Sequence, residues 1–134
     1  GSLAFPLPIH LRSKLVVRGA FSCPPGSLLG DDVKAGDSLR VGRGSVCKGN
    51  LASRSDMVLE GDCLLEGDLS SDRSLRLCSG VRGLGGAGLI RATAKQGLVL
   101  EPNVVVRGQV SSPRKVRGAE PAIEGGLELL LAGG

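Results

Sequence analysis

Four cysteines, one histidine and a scatter of carboxylates are the residues of this 134-residue chain that could do chemistry. Cys23, Cys47, Cys63 and Cys78 show no CxxC spacing, and the single His10 lies well apart from them, so the pattern of a zinc site is missing. No nucleophile–base–acid arrangement can be assembled without placing His10 at its centre, and nothing around that residue supports this. Asp31-Asp32, Glu60-Gly61-Asp62 and Glu66-Gly67-Asp68 invite a reading as paired carboxylates or calcium loops. Yet Glu60 and Glu66 recur at outward positions of a repeat and do not converge on a pocket. Gly83-Leu84-Gly85-Gly86-Ala87-Gly88 echoes a phosphate-binding loop, but lacks the Gly-Lys-Ser/Thr ending and the strand–loop–helix setting. The expectation is therefore no catalytic residue, no cofactor and no metal.

What positions these residues is a repeat. Leu39 to Asp56 and Met57 to Ser74 are one pattern written twice, aligning without a gap at a shift of eighteen residues. Cys47 meets Leu65, Gly49 meets Gly67, Leu51 meets Leu69 and Ser53 meets Ser71. A period of this size signals stacked units that share one core. It extends back through Leu15, Val17, Phe21, Cys23, Leu29, Val33 and Ala35, and forward through Leu75, Leu77 and Val81. There it slips by five residues and resumes at Leu98, Leu100, Val104, Val106 and Val110. One column reads Phe21, Leu39, Met57, Leu75, Leu98, Val116. Another reads Leu15, Val33, Leu51, Leu69 and Val110, with Ile90 or Ala92 in the coil that carries the slip.

Inward residues alternate with polar ones, which is strand periodicity. Three short strands per coil, turned at stretches such as Gly42-Arg43-Gly44 and Arg54-Ser55-Asp56, predict an all-β fold. It is a single-stranded parallel β-helix, or solenoid, of about six coils of about 18 residues with a triangular cross-section. Twenty-two glycines, two phenylalanines and no Trp or Tyr suit a narrow interior with open corners. The β-helix is expected over 15–117 with a loop insertion near 80–97. Residues 1–14 comprise a Gly1-Ser2 cloning remnant and an apolar, proline-containing strap over the first coil. Residues 118–134 form a tail or end cap. No stretch reads as a signal peptide or spanning helix, Leu3 to Leu11 falling far below the roughly 20 residues needed.

On the surface, Lys48 is expected over Glu66 and Arg54 over Asp72, as cross-coil pairs. The net charge of +4 is spread out, densest at Arg107, Arg114, Lys115 and Arg117. Without aromatic platforms or a Lys/Arg run, nucleic acid is not an expected partner. Cys23, Cys47 and Cys63 fall on inward positions in different columns and read as small buried hydrophobes, with Cys47 and Cys63 as diagonal neighbours. Free thiols suggest a reducing compartment, hence the cytoplasm.

The units Val46-Cys-Lys-Gly-Asn-Leu-Ala-Ser, Leu64-Leu-Glu-Gly-Asp-Leu-Ser-Ser and Val105-Val-Arg-Gly-Gln-Val-Ser-Ser resemble the repeating signature of the bactofilins, bacterial polymer-forming cytoskeletal proteins. The likeness covers about Leu15 to Ser112. It implies a right-handed β-helix that self-assembles end to end into non-polar, nucleotide-independent filaments. It also implies a scaffold for cell-shape and envelope machinery, often at the membrane surface. Small-molecule substrates are not implied. The five-residue insertion and proline-rich flanks depart from that family's even stack. Eighteen-residue coils also occur in left-handed β-helix acyltransferases. Their alternation of large and small residues is broken here by Leu51, Met57, Leu69 and Leu75, and no repeat position is histidine. A spacer or oligomerisation module of a larger protein is the third reading. On the scaffold reading the functional site is the two ends: Leu15, Val17 and Phe21 at one, Val104, Val106 and Val110 at the other. A charge at Phe21 or Val106 is then expected to block assembly with the middle coils intact.

Overall fold

The computed structural model describes residues 3–84 and 90–112, together with the backbone of 122–129. Three strands per turn wind into a parallel stack. The first coil holds β1 (Leu3–Ala4), β2 (His10–Leu11) and β3 (Leu15–Val17). The second holds β4 (Phe21–Cys23), β5 (Leu28–Leu29) and β6 (Val33–Ala35). β7 (Leu39–Val41), β8 (Val46–Cys47) and β9 (Leu51–Ser53) form the third, and β10 (Met57–Leu59), β11 (Leu64–Leu65) and β12 (Leu69–Ser71) the fourth. The fifth contains β13 (Ser74–Leu77), β14 (Arg82–Gly83) and β15 (Ile90–Ala94). The last contains β16 (Gly97–Leu100) and β17 (Val105–Ser112), and β18 (Ala122–Leu129) follows.

The expected columns are strand registers. Phe21 pairs with Leu39, Leu39 with Met57, Met57 with Leu75 and Leu75 with Leu98, all in parallel. This face is a six-stranded sheet, so about five turns separate its first strand from its last. The other two faces run β2-β5-β8-β11-β14 and β3-β6-β9-β12-β15, and both end on β17. β17 serves both because its first part pairs with β14 and its later part with β15. The offset is eighteen as far as Leu64↔Arg82, then twenty-three from Leu69↔Ala92 onward. The five extra residues thus fall between Gly83 and Ile90, and Ala92, not Ile90, takes the place in the column. The glycine run at 85–89, the cations Arg114, Lys115 and Arg117, and the side chains of 127–131 lie outside the described residues.

The segment expected as a strap enters the stack at the same spacing, Leu3 beside Phe21 and His10 beside Leu28. Phe5 stands edge-on to Phe21, with ring centroids 6.3 Å apart, so the two phenylalanines plug one end of the core.

Alternation explains the rest. In β6, β7 and β12 the outer residues of each triplet are buried and the middle one is exposed. Apolar residues thereby stack into one continuous core from Val17 to Val110. Buried serines are satisfied within it: Ser27 Oγ accepts from the Ile9 N–H at 3.1 Å, and Ser45 Oγ from the Ser27 N–H at 3.0 Å. Among the described residues no buried side-chain polar atom lacks a partner.

One corner repeats a conformation, not a residue. Gly26, Gly44, Asp62, Gly80 and Asn103 occupy the same position in successive coils, and all have φ between 61° and 84°. Glycine takes this left-handed region freely, and Asp and Asn are the side chains that tolerate it best. A second corner is braced by side chains. Asp32 Oδ1 accepts the N–H of Asn50, Asn50 Oδ1 that of Asp68, and Asp68 Oδ1 that of Arg91, each at 2.8 Å.

Candidate functional site

In a stack of this kind unpaired strand backbone is found where strands stop having neighbours, and such edges are templates for pairing. In a parallel ladder a residue sends its N–H and C=O to one side, and its neighbours in the strand send theirs to the other. Leu15 donates to the Asp32 carbonyl, and Gly36 donates to the Val17 carbonyl. Leu15 and Val17 therefore face inward along the stack axis, and Val16 between them presents its backbone groups to the open edge. The same argument applies to β2, where Ile9 and Leu11 carbonyls accept from Leu28 and Gly30. His10 then faces out. In β1 the open residue is Ala4, because Phe21 and Leu39, the equivalents of its neighbour Leu3, bond forward to the Ser38 and Asp56 carbonyls. Among the described residues β1, β2 and β3 pair on one side only. The first coil thus exposes one unpaired backbone unit per face, Ala4, His10 and Val16, six residues apart.

The far end differs. β16 pairs only with β13 among the described residues, so by the same alternation the backbone groups of Leu98 and Leu100 face the open side while their side chains stay buried. The other two faces end on β17, and β18 runs beside it in parallel from Val105↔Ala122 to Ser112↔Leu129.

Of the six residues expected at the ends, Leu15 and Val17 are in an edge strand, Leu15 partly buried and Val17 buried. Phe21 lies one strand inside, beneath β1 and the Phe5 ring. Val104, Val106 and Val110 are buried, and β18 flanks the strand carrying the last two. The structure does not bring these six onto one surface. A charge at Phe21 or Val106 would enter the core, where an unpaired ion is costly, so such a change perturbs folding before it tests assembly. The outward residues Ala4, His10 and Val16 were hidden in the sequence, since their role rests on backbone direction. The signal available was the six-residue spacing of positions between two inward apolar residues. Leu7 and Val16, 71% and 65% exposed, are the large exposed hydrophobics of the described residues, and both lie in this first coil.

The thiols are buried apart from Cys78, and all four are free. Burial pushes Cys63 up to about 11 and raises Cys47 and Cys23 as well. They therefore stay protonated and unreactive at neutral pH. Cys63 Sγ donates to the Gly42 carbonyl at 3.2 Å. No cluster of three or more His, Cys, Asp or Glu able to hold a metal occurs among the described residues.

Three of the charged pairs run obliquely, whereas Lys14–Asp32 and Asp72–Lys95 join residues in register on neighbouring coils. Arg40 meets Glu60 at 3.2 Å, Arg43 meets Asp62 at 2.9 Å and Arg76 meets Glu101 at 2.7 Å. Lys48–Glu66 and Arg54–Asp72 are not among the ion pairs, and Asp72 instead takes Lys95 at 3.2 Å. Long side chains reach diagonally past their nearest neighbour, and exposed pairs gain too little to enforce one geometry. Arg76, then the Ser79 N–H, hold the Glu101 carboxyl below its usual range.

The fold and this surface define a parallel β-solenoid with two unlike ends. No protein-family model, curated protein or solved structure matches the chain. Among the described residues no helix is long and apolar enough to cross a membrane.

Proposed function

We propose that the chain is a non-enzymatic, bactofilin-like scaffold that self-assembles through its β-helix ends into polymers without nucleotide. On this reading the polymer organises cell-shape or envelope machinery from the cytoplasm, at or near the membrane surface. The observation that carries it is the first coil, whose three strands each leave one backbone unit without a partner strand among the described residues, at Ala4, His10 and Val16. Such an edge is a template for another strand, and a contact between unlike ends propagates without closing. Negative-stain electron microscopy, paired with sedimentation at low and high salt without nucleotide, tests it. Filaments are the expected result, and a small species of fixed mass at all concentrations refutes polymerisation.

A second reading is favoured by β18 alone. With two faces of the far end flanked by that strand, association through the first coil only would give a closed pair, an oligomerisation module. A dimer of fixed mass is its signature.

A further inference from the structure

The face built from β3, β6 and β9 carries a shallow groove of about 470 Å³, lined by Val16, Val17, Arg18, Lys34, Gly36 and Arg54. Arg18, Gly36 and Arg54 hold the same corner position in three successive coils, each following the last residue of its strand. Coils are about 4.8 Å apart, so the two arginines stand about 10 Å apart along the axis. Between them Gly36 contributes no side chain, and a Cβ there would run into the Arg18 backbone. Lys34, in the middle coil, reaches over the gap from the neighbouring column. All three cations are exposed, and none forms an ion pair with a carboxylate among the described residues. Asp72 lies one coil beyond Arg54 at the same corner and lines the adjoining groove with it, but its carboxylate is taken by Lys95.

Three like charges gathered around a vacant position repel one another, and an anion placed among them relieves that repulsion. Two planar guanidinium forks and an ammonium together offer many donors and no acceptor, which suits a multiply charged oxyanion with several acceptor oxygens. We infer that this groove is a binding site for a phosphate group, held by Arg18, Lys34 and Arg54 around Gly36. The phosphate comes either as a free anion or as a lipid headgroup, for which the exposed Val16 at the groove's edge offers an apolar contact. The groove borders the assembly edge at Val16, but its three cations do not include the unpaired backbone units Ala4, His10 and Val16, so the site stands whether or not the chain polymerises.

The test titrates the full chain with inorganic phosphate by phosphorus NMR, and co-sediments it with phosphatidylglycerol or phosphatidylcholine vesicles. Three proteins are compared: the parent, the triple variant Arg18→Ala/Lys34→Ala/Arg54→Ala, and the charge-matched Lys48→Ala/Arg82→Ala/Arg91→Ala. Circular dichroism and the thermal midpoint confirm that both variants fold. Binding to phosphate, or to the anionic vesicles alone, is expected to weaken about tenfold or more in the first triple and to stay within about twofold in the second. Response to free phosphate assigns the soluble source, and response to anionic vesicles only assigns the headgroup. Equal losses in both triples would mean that net charge alone is sensed and would overturn the site. So would failure of the parent to bind either probe.

Discussion

Replacing Val16 with proline separates edge pairing from folding. Val16 is 65% exposed and sits in an edge strand whose inward bonds come from Leu15 and Val17. Its N–H points away from the stack, so proline removes no internal hydrogen bond, and edge strands are where sheets accept proline. The side chain gives up at most about a third of the roughly 1.5–3 kcal/mol that full burial of valine is worth. Stiffening of the unfolded chain returns about 0.4–1 kcal/mol. The net change in stability is within about 1 kcal/mol, a shift of a few degrees in the thermal midpoint at most. Assembly feels the change more strongly. A second strand added along this edge would lose one donor, worth about 1 kcal/mol, and would bury an acceptor without a partner, costing about 1–3 kcal/mol. The sum, about 2–4 kcal/mol, corresponds to a rise of roughly 30- to 1000-fold in the concentration needed for end-to-end association. Sedimentation across a concentration series reads this directly. Ala52→Pro is the internal control, since Ala52 holds the same column with strands on both sides. It is expected to lower stability by the 2–4 kcal/mol that Val16→Pro spares, about the same sum of lost bond and stranded acceptor. An unchanged critical concentration in Val16→Pro would refute edge pairing through this face. A large loss of stability in that variant would refute the assignment of backbone direction.

Gly108 has φ of 146°, and a Cβ there would meet the Ile90 backbone. Gly108→Ala should therefore cost at least about 3 kcal/mol and lower the denaturant midpoint well below that of the parent. Leu59, fully buried in the fourth coil, should cost about 2–5 kcal/mol as alanine, measured by urea unfolding. Asp56 accepts from Ser74 Oγ at 2.7 Å, and this bond, ahead of the others, holds its carboxyl below the usual range. A depressed acid adds stability above its unfolded value, and that stability fades as pH falls through the folded value. Ser74→Ala should raise the Asp56 midpoint by carbon-detected NMR, and the stability gap between the two proteins should vanish on acidification. Thiol titration should find only Cys78 accessible of the four cysteines in the native protein, and all four in denaturant.

The coil was legible because burial imposes it. Leucine, methionine and phenylalanine return every eighteen residues to the same interior line, so Phe21, Leu39, Met57, Leu75 and Leu98 announce their own register. Even the five-residue slip shows, since the columns resume after it. The left-handed corner did not, because Gly44, Asp62 and Asn103 share a backbone angle and not a side-chain type. Charge pairing was legible in kind and not in partner. Arg40, lying straight over Val58, found Glu60, two residues further on. The ends were least legible of all. Nothing in Val16 as a residue says that its amide points outward, and in the proline- and glycine-interrupted stretch before β18 the lone column residue Val116 does not reveal a strand beside β17.

The brace of Asp32, Asn50 and Asp68 gives the molecule an order of construction. In every step the oxygen belongs to the earlier coil and the amide to the later one. A chain made from its amino terminus therefore always has the acceptor in place before the donor arrives. This corner closes against finished structure at every turn, whereas the N–H groups of Leu15, Phe21 and Leu39 wait for carbonyls of the coil that follows.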